Sequence, residues 1–229
     1  MAQKDTVERI LDAAEALFAE RGFAETSLRT ITSTAGVNLA AVNYHFGSKK
    51  ALIQAIFVRY LDPLADAVTE ELNQAEADDK SLAISDLLML LTRSVYKVHG
   101  HSARRITGFM RLLGLAYTQS QGHLRGYLGE RYGSVFKRFV GLLRPACPEL
   151  SDIDLFWNTH FALGAAVFTL SNQQALAAML ESDTGVNTDI NQVVNRLIPF
   201  MTSGIKSHQD PASAQGAAQG YFNLPNESH

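Results

Sequence analysis

From Thr26 to Leu61 the chain carries four basic residues, Arg29, Lys49, Lys50 and Arg59, and no acidic one. A carboxylate-free stretch can approach a polyanion without the repulsion that the rest of the surface supplies. The contrast is local: residues 1–25 hold three basic and six acidic residues, and all 229 residues together have a formal charge of −3. Within the stretch, Asn43 offers a paired donor and acceptor, the geometry that reads adenine in the major groove of a duplex. Ala40 and Ala41 are small enough to let a backbone lie close to base edges, with methyls that can touch thymine methyl groups.

These residues need rigid elements to hold them, and the apolar spacing supplies helices. Val7, Ile10, Leu11, Ala14, Leu17 and Phe18 form one stripe at a period of about 3.6, ended at Arg21-Gly22. Thr26 and Ser27 can cap a short second helix with Leu28, Ile31 and Ala35 on its inner face. Gly36-Val37-Asn38 is a tight turn, and Asn38 caps a third helix from Leu39 to about Phe46. Gly47-Ser48 breaks that helix, and Ser48 caps a long fourth one carrying Leu52, Ile53, Ile56, Phe57, Tyr60, Leu61 and Leu64. Three short helices with a tight turn between the second and third outline a helix-turn-helix. Further helices are predicted over Asp79–Val98, Arg104–Gln119, Leu124–Leu143 and Ser151–Leu180, and from a Thr188 cap to about Ile205, with Pro199 bending the last. No alternating run argues for a sheet. Residues 207–229 are polar and small, and are expected to form a disordered tail.

The segment from Thr26 to Ile53 resembles the DNA-binding domain of the TetR family of bacterial transcriptional regulators. The likeness rests on Ala35-Gly36-Val37, Tyr44-His45-Phe46, Ser48-Lys49 and Ala51-Leu52, all in register within residues 6–55. It implies an all-α fold, with a three-helix helix-turn-helix DNA-binding domain over residues 1–50 and a larger α-helical ligand-binding and dimerisation domain over 51–206. The implied partner is double-stranded operator DNA. Leu39, Ala40, Ala41 and Asn43 would lie on the recognition helix, Arg29 at a position that reaches a base, and Ser27, Tyr44, His45 and Lys49 at positions that contact phosphate. His45 reads equally well as a packing residue. Many relatives carry an aromatic residue where Asn43 stands, which leaves the operator sequence open.

One such module buries too little DNA to be specific alone, so a homodimer reading a palindrome is expected. Phe156, Phe161, Leu163, Val167, Leu170, Leu176 and Met179, with Val193, Leu197, Phe200 and Met201, would form an antiparallel four-helix bundle across the twofold axis. Gly122, Gly126, Gly129 and Gly133 fall on one narrow helical face. Each costs a helix interior about 1 kcal/mol relative to alanine, and close helix packing is favoured there over passage of a ligand. Phe109, Met110, Leu113, Tyr117, Phe136, Phe139, Trp157, His160, Phe161 and Phe168, with Gly114 and Gly164 leaving space, suit a long apolar pocket. Arg104, Arg105, Arg111, Arg125 and His160 are alternative partners for a ligand head group.

The runs Gly108–Ala116, Ser120–Arg125, Leu155–Trp157, Leu163–Ala166 and Gly185–Thr188 are similar to the PsrA-type regulators. That resemblance implies control of fatty-acid metabolism genes and an effector that is a long-chain fatty acid or its coenzyme A thioester. The alternative is a TetR-type repressor of another regulon that senses a different hydrophobic molecule.

Other classes find little support. The single Cys147 excludes an intrachain disulfide and a multi-cysteine zinc site. His99-Gly-His101 is a weak metal spacing, and no glycine-rich phosphate loop occurs, so neither a cofactor nor catalysis is expected. The charged N-terminus has no signal-peptide core. The longest apolar run, Phe161 to Leu170, is about half of what a membrane span needs, so a cytoplasmic protein without a membrane partner is expected. An all-helical lipid carrier has no use for an acid-free segment around Arg29, Asn43, Tyr44 and Lys49. Replacing Asn43 and Lys49 together with alanine is expected to abolish operator binding in a gel shift while ligand uptake persists; unchanged DNA affinity would favour the carrier.

Overall fold

The computed structural model describes residues 2–78, 82–118 and 122–207. Among these the fold is entirely helical: α1 (Ala2–Glu25), α2 (Leu28–Ala35), α3 (Leu39–Phe46), α4 (Lys49–Ala77), α5 (Ile84–His99), α6 (Ala103–Thr118), α7 (Gly122–Leu143), a 3-10 turn (Arg144–Ala146), α8 (Asp152–Ser171), α9 (Gln173–Thr184) and α10 (Ile190–Lys206). The predicted tail lies outside the described residues apart from Ser207, as do residues 79–81 and 119–121.

The N-terminal caps are those the residue types demand. Ser27 Oγ accepts from Thr30 N, Asn38 Oδ1 from Ala41 N, and Ser48 Oγ from Ala51 N, at 2.9–3.1 Å. Each satisfies one of the amides that a helix start leaves free. Thr26 does something else: its buried hydroxyl donates to Leu17 O and Gly22 O, covering carbonyls where Gly22 (φ 83°) interrupts α1. At the far end the cap of α10 is Asp189, one residue beyond Thr188. Its carboxylate accepts from Gln192 N, and Asp189 N in turn donates to Gln192 Oε1.

Two apolar clusters make up the core. The first joins Ile10, Ala14 and Phe18 of α1 to Phe23, Ile31, Val42, Leu52 and Phe57, and it continues into Phe109, Leu112 and Ala116 of α6 and Leu124 of α7. The second runs from Val68 and Leu72 through Leu87, Ile106 and Phe139 to Leu155, Leu170, Val194 and Ile198. Thus α4 and α6 belong to both, and the N-terminal module rests directly on α6. Charged surface pairs brace α4 further. Arg131 and Tyr132 of α7 both donate to Asp62 at 2.7–2.9 Å, which holds its carboxyl below the usual range. Arg93 pairs with Glu71 and Arg138 with Glu76.

Two expectations are corrected. The helix predicted over Ser151–Leu180 is two helices, broken at Asn172 (φ −114°, ψ 16°). Arg111 of α6 donates to Ser171 O at 3.0 Å, and the Asn172 side chain donates to Phe168 O at 2.9 Å. The first bond engages the Ser171 carbonyl that a continuing helix would need, and the second adds a side-chain donor to a Phe168 carbonyl that already accepts from Asn172 N. The glycine face of α7 is not a close helix contact either: a Cβ built at Gly122, Gly126, Gly129 or Gly133 meets nothing within 4 Å. The close approach occurs instead at Gly114 of α6, where a Cβ would lie 3.1 Å from Val167 of α8.

The turn between α2 and α3 is held by Gly36 at φ 63° and by Arg9 of α1, whose Nη2 donates to Ala35 O at 2.5 Å and Gly36 O at 2.9 Å. A Cβ on residue 36 would lie 2.8 Å from that nitrogen. Gly36→Ala is therefore expected to lose about 1–3 kcal/mol, from the left-handed backbone and the displaced guanidinium bonds, as a lower midpoint in urea unfolding at fixed protein concentration.

Candidate nucleic-acid interface and apolar cavity

The eight residues of α3 divide by face. Val42 is fully buried against Ile31 and Ala35 of α2, which anchors the helix through one side. Leu39, Ala40, Asn43 and Tyr44 are exposed, Tyr44 at 77%, and Ala41 and His45 are half-buried. The exposed side therefore offers an amide, a phenol and small apolar groups at i, i+1, i+4 and i+5, a ridge narrow enough to enter a major groove. Ser27 and Arg29 are exposed on α2. The Ser27 hydroxyl is occupied as the α2 cap and paired with Thr30 Oγ1 at 2.8 Å, so a contact to phosphate would share it. The His45 ring packs edge-on to Tyr44 and Phe46. Lys49 Nζ donates to Ala24 O at 3.4 Å beside the start of α4.

One basic residue of the acid-free stretch is withdrawn. Arg59 bonds to Asp12 at 2.6 Å and lies within 3.4 Å of Glu8 and 3.7 Å of Glu15. Its charge is spent on tying α4 to α1.

The C-terminal helices enclose an apolar cavity of about 400 Å³ between α4, α5, α6, α7, α8 and α10, within the range of small-molecule pockets. Phe109, Met110, Leu113, Tyr117 and Phe136 line it. Gly114, Trp157, His160, Phe161 and Gly164 do not. Gly114 is spent on the approach to Val167. Trp157, Phe161 and Gly164 are turned to the surface of α8, and His160 Nδ1 is bonded at 2.7 Å to Phe156 O of its own helix. Leu163 and Met201 also line the cavity, and Leu170 and Leu197 are buried at its wall, so four residues assigned to the bundle serve the interior of this chain. Among the described residues no charged side chain lines the cavity. Arg104, Arg105 and Arg111 face a separate polar cleft of about 1130 Å³ on the other side of α6, and Arg125 lines neither.

Two features escaped the sequence. Tyr96 of α5 lines the cavity, and its buried Oη has no hydrogen-bond partner. It follows Leu88, Leu91, Thr92 and Val95 on one helical face, so the period alone places it there. Phe109 is stacked on Tyr60 of α4 at 5.2 Å, and the Tyr60 hydroxyl bonds to Glu15 of α1. His99, only 6% exposed, packs against both rings. Burial pushes the Tyr60 phenol up and, with Arg105 nearby, the His99 imidazole down. No local pattern reveals this cluster, because its members lie far apart in the chain.

The outer face of α8 and α10 exposes Phe156, Trp157, Phe161, Phe168 and Phe200, with Trp157 stacked on Phe161 at 5.8 Å. An aromatic patch of this kind marks an interaction surface. Among the described residues no helix is long and apolar enough to cross a membrane.

Residues 10–56 match the family described as bacterial regulatory proteins, tetR family, and residues 90–204 match the tetracyclin repressor-like C-terminal domain. The HTH-type transcriptional repressor Rv3405c of Mycobacterium tuberculosis is 42% identical over 186 residues, 81% of this chain and 80% of that protein. The HTH-type transcriptional regulator TtgR of Pseudomonas putida is 35% identical over 77 residues, 34% of this chain, so the match spans about a third (35%) of that relative. Among solved structures, a TetR-like transcriptional regulator from Rhodococcus sp. RHA1 superposes with a TM-score of 0.56 at 18% identity, covering 89% of this chain and 97% of that one. The fatty acid degradation regulator FadR from Bacillus halodurans gives 0.53 at 15% identity over the same shares; both show the fold alone. With both halves matched and a relative this similar over four-fifths of its length, the chain belongs to the TetR family of transcriptional regulators, which bind DNA and are not enzymes.

Proposed function

We propose that the chain is a dimeric repressor that holds a palindromic operator through α3 of each protomer and is released when an apolar effector fills the cavity. Phe109 carries this reading: one side chain both walls the cavity and stacks on the tyrosine bonded to α1. In the DNA contact, Leu39, Ala40, Ala41 and Asn43 meet base edges, Arg29 reaches a further base, and Ser27, Tyr44, His45 and Lys49 hold phosphates. The α8 and α10 aromatic patch seats the second protomer and sets the two α3 helices about 34 Å apart. An effector that pushes on Phe109 tilts α4 and α6 against α1 and changes that spacing. It must bind the DNA-incompetent form more tightly, since equal affinity for both forms shifts nothing.

For the effector, the runs resembling PsrA-type regulators and the uncharged cavity wall support a long acyl chain, and with it control of fatty-acid metabolism genes. A repressor of another regulon with a different hydrophobic effector has the same wall in its favour.

A gel shift on the protein's own promoter region, at fixed salt because phosphate contacts make affinity steeply salt-dependent, is expected to show a retarded band that long-chain acyl probes weaken at least about tenfold. Release by other hydrophobic molecules but by no acyl chain would select the second regulon. Phe161→Glu is expected to leave a folded monomer on sedimentation and to weaken operator binding at least about a hundredfold; an intact dimer would move the interface elsewhere.

A further inference from the structure

The cavity wall is unusual in what it lacks. None of its side chains among the described residues is ionisable as an acid or base near neutral pH, so a buried carboxylate would find no counter-charge among them, and burying an unpaired charge is costly. The wall hydroxyls differ in availability. Thr92 and Thr159 donate to Leu88 O and Leu155 O of their own helices, Tyr132 donates to Asp62, and Tyr117 is half exposed to water. Tyr96 stands apart, with a buried phenol that bonds to nothing. Its ring is clamped: His101 stacks on it at 4.4 Å, and His101 Nδ1 is 3.1 Å from Asn191 Oδ1 of α10. Tyr96 belongs to the wall of this apolar cavity, and a donor buried there without a partner is one that an acceptor on a ligand can satisfy. Burial, and then the carboxylate of Asp189, push this phenol's pKa up, so it stays protonated and donates, and the nearby charge acting on it is negative.

Resting on the reading of the cavity as the effector site, we infer that the effector carries an uncharged hydrogen-bond acceptor into the chamber, a carbonyl as in a thioester, ester or ketone, and that Tyr96 Oη donates to it. Among the described residues a free carboxylate meets a neutral donor, no cation on the wall, and the field of Asp189. The inference therefore separates a thioester from a free acid by chemistry: the thioester's carbonyl suits the chamber, whereas the acid's carboxylate does not.

Three probes of equal chain length isolate the claim: 2-tridecanone, tridecanoate and tridecane, each measured by displacement of Nile red from the full-length protein and from Tyr96→Phe. The wild type is expected to bind the ketone about tenfold more tightly than the alkane, the scale of one buried hydrogen bond, and more tightly than the carboxylate. Tyr96→Phe is expected to lose the ketone's advantage while binding tridecane unchanged, and to melt no lower than the wild type, because it removes a buried hydroxyl that had no partner. The alkane arm reports whether the variant's chamber is intact. Equal ketone affinity in both proteins, or tighter binding of tridecanoate than of the ketone, overturns the inference. If acyl chains still release the operator in that case, the effector reading survives without it. If no probe displaces Nile red from the wild type, both fall together.

Discussion

Helix α6 cannot shift without disturbing two cores at once. Phe109, Leu112 and Ala116 pack with α1, α4 and α7, whereas Ile106 closes the C-terminal cluster and Met110 and Leu113 face the cavity. Packed interiors transmit displacement because they have few voids to absorb it. Thr107 and Arg111 fix α6 to the end of α8 through Leu170 O and Ser171 O. The same helix thus touches the DNA-binding module, the chamber and the helix that carries the aromatic patch. The Tyr60 bond to Glu15 and the Arg59 cluster on α1 make α4 its companion in this role.

The exposed face of α3 is built with little material. An eight-residue helix has too few internal hydrogen bonds to stand alone in water, so α3 depends on the Asn38 cap, the buried Val42 and the Arg9-braced turn at Gly36. That economy leaves most of its circumference exposed, and the small residues Ala40 and Ala41 keep the approach open. The buried anchor and the exposed ridge occupy opposite sides of the same two turns.

The expectations that failed share a cause. A continuous apolar period from Ser151 to Leu180 reads as one helix, yet Arg111, sixty residues upstream of Ser171, takes a carbonyl at the break. Four glycines on a stripe read as a packing face, but within the chain a Cβ on any of them would meet nothing within 4 Å. Trp157 and Phe161 read as pocket lining because aromatic residues at helical spacing look alike whether they turn inward or outward. Arg59 counted among four basic residues of an acid-free stretch, yet the fold places three carboxylates of α1 around it.

Local signals alone determined the helical class, the capped starts at Ser27, Asn38 and Ser48, the glycine turn, and the presence of a short helix with Asn43 and Tyr44 on it. These depend on interactions that reach no further than about four residues, and a sequence displays them directly. Tertiary structure decided which aromatic residues face outward, that Phe109 meets Tyr60, that the chamber is uncharged, and that the phenol of Tyr96 is buried without a partner. Burial and hydrogen-bond satisfaction are properties of a place in space, set by residues such as Asp12 and Asn191 that stand far along the chain from the groups they hold.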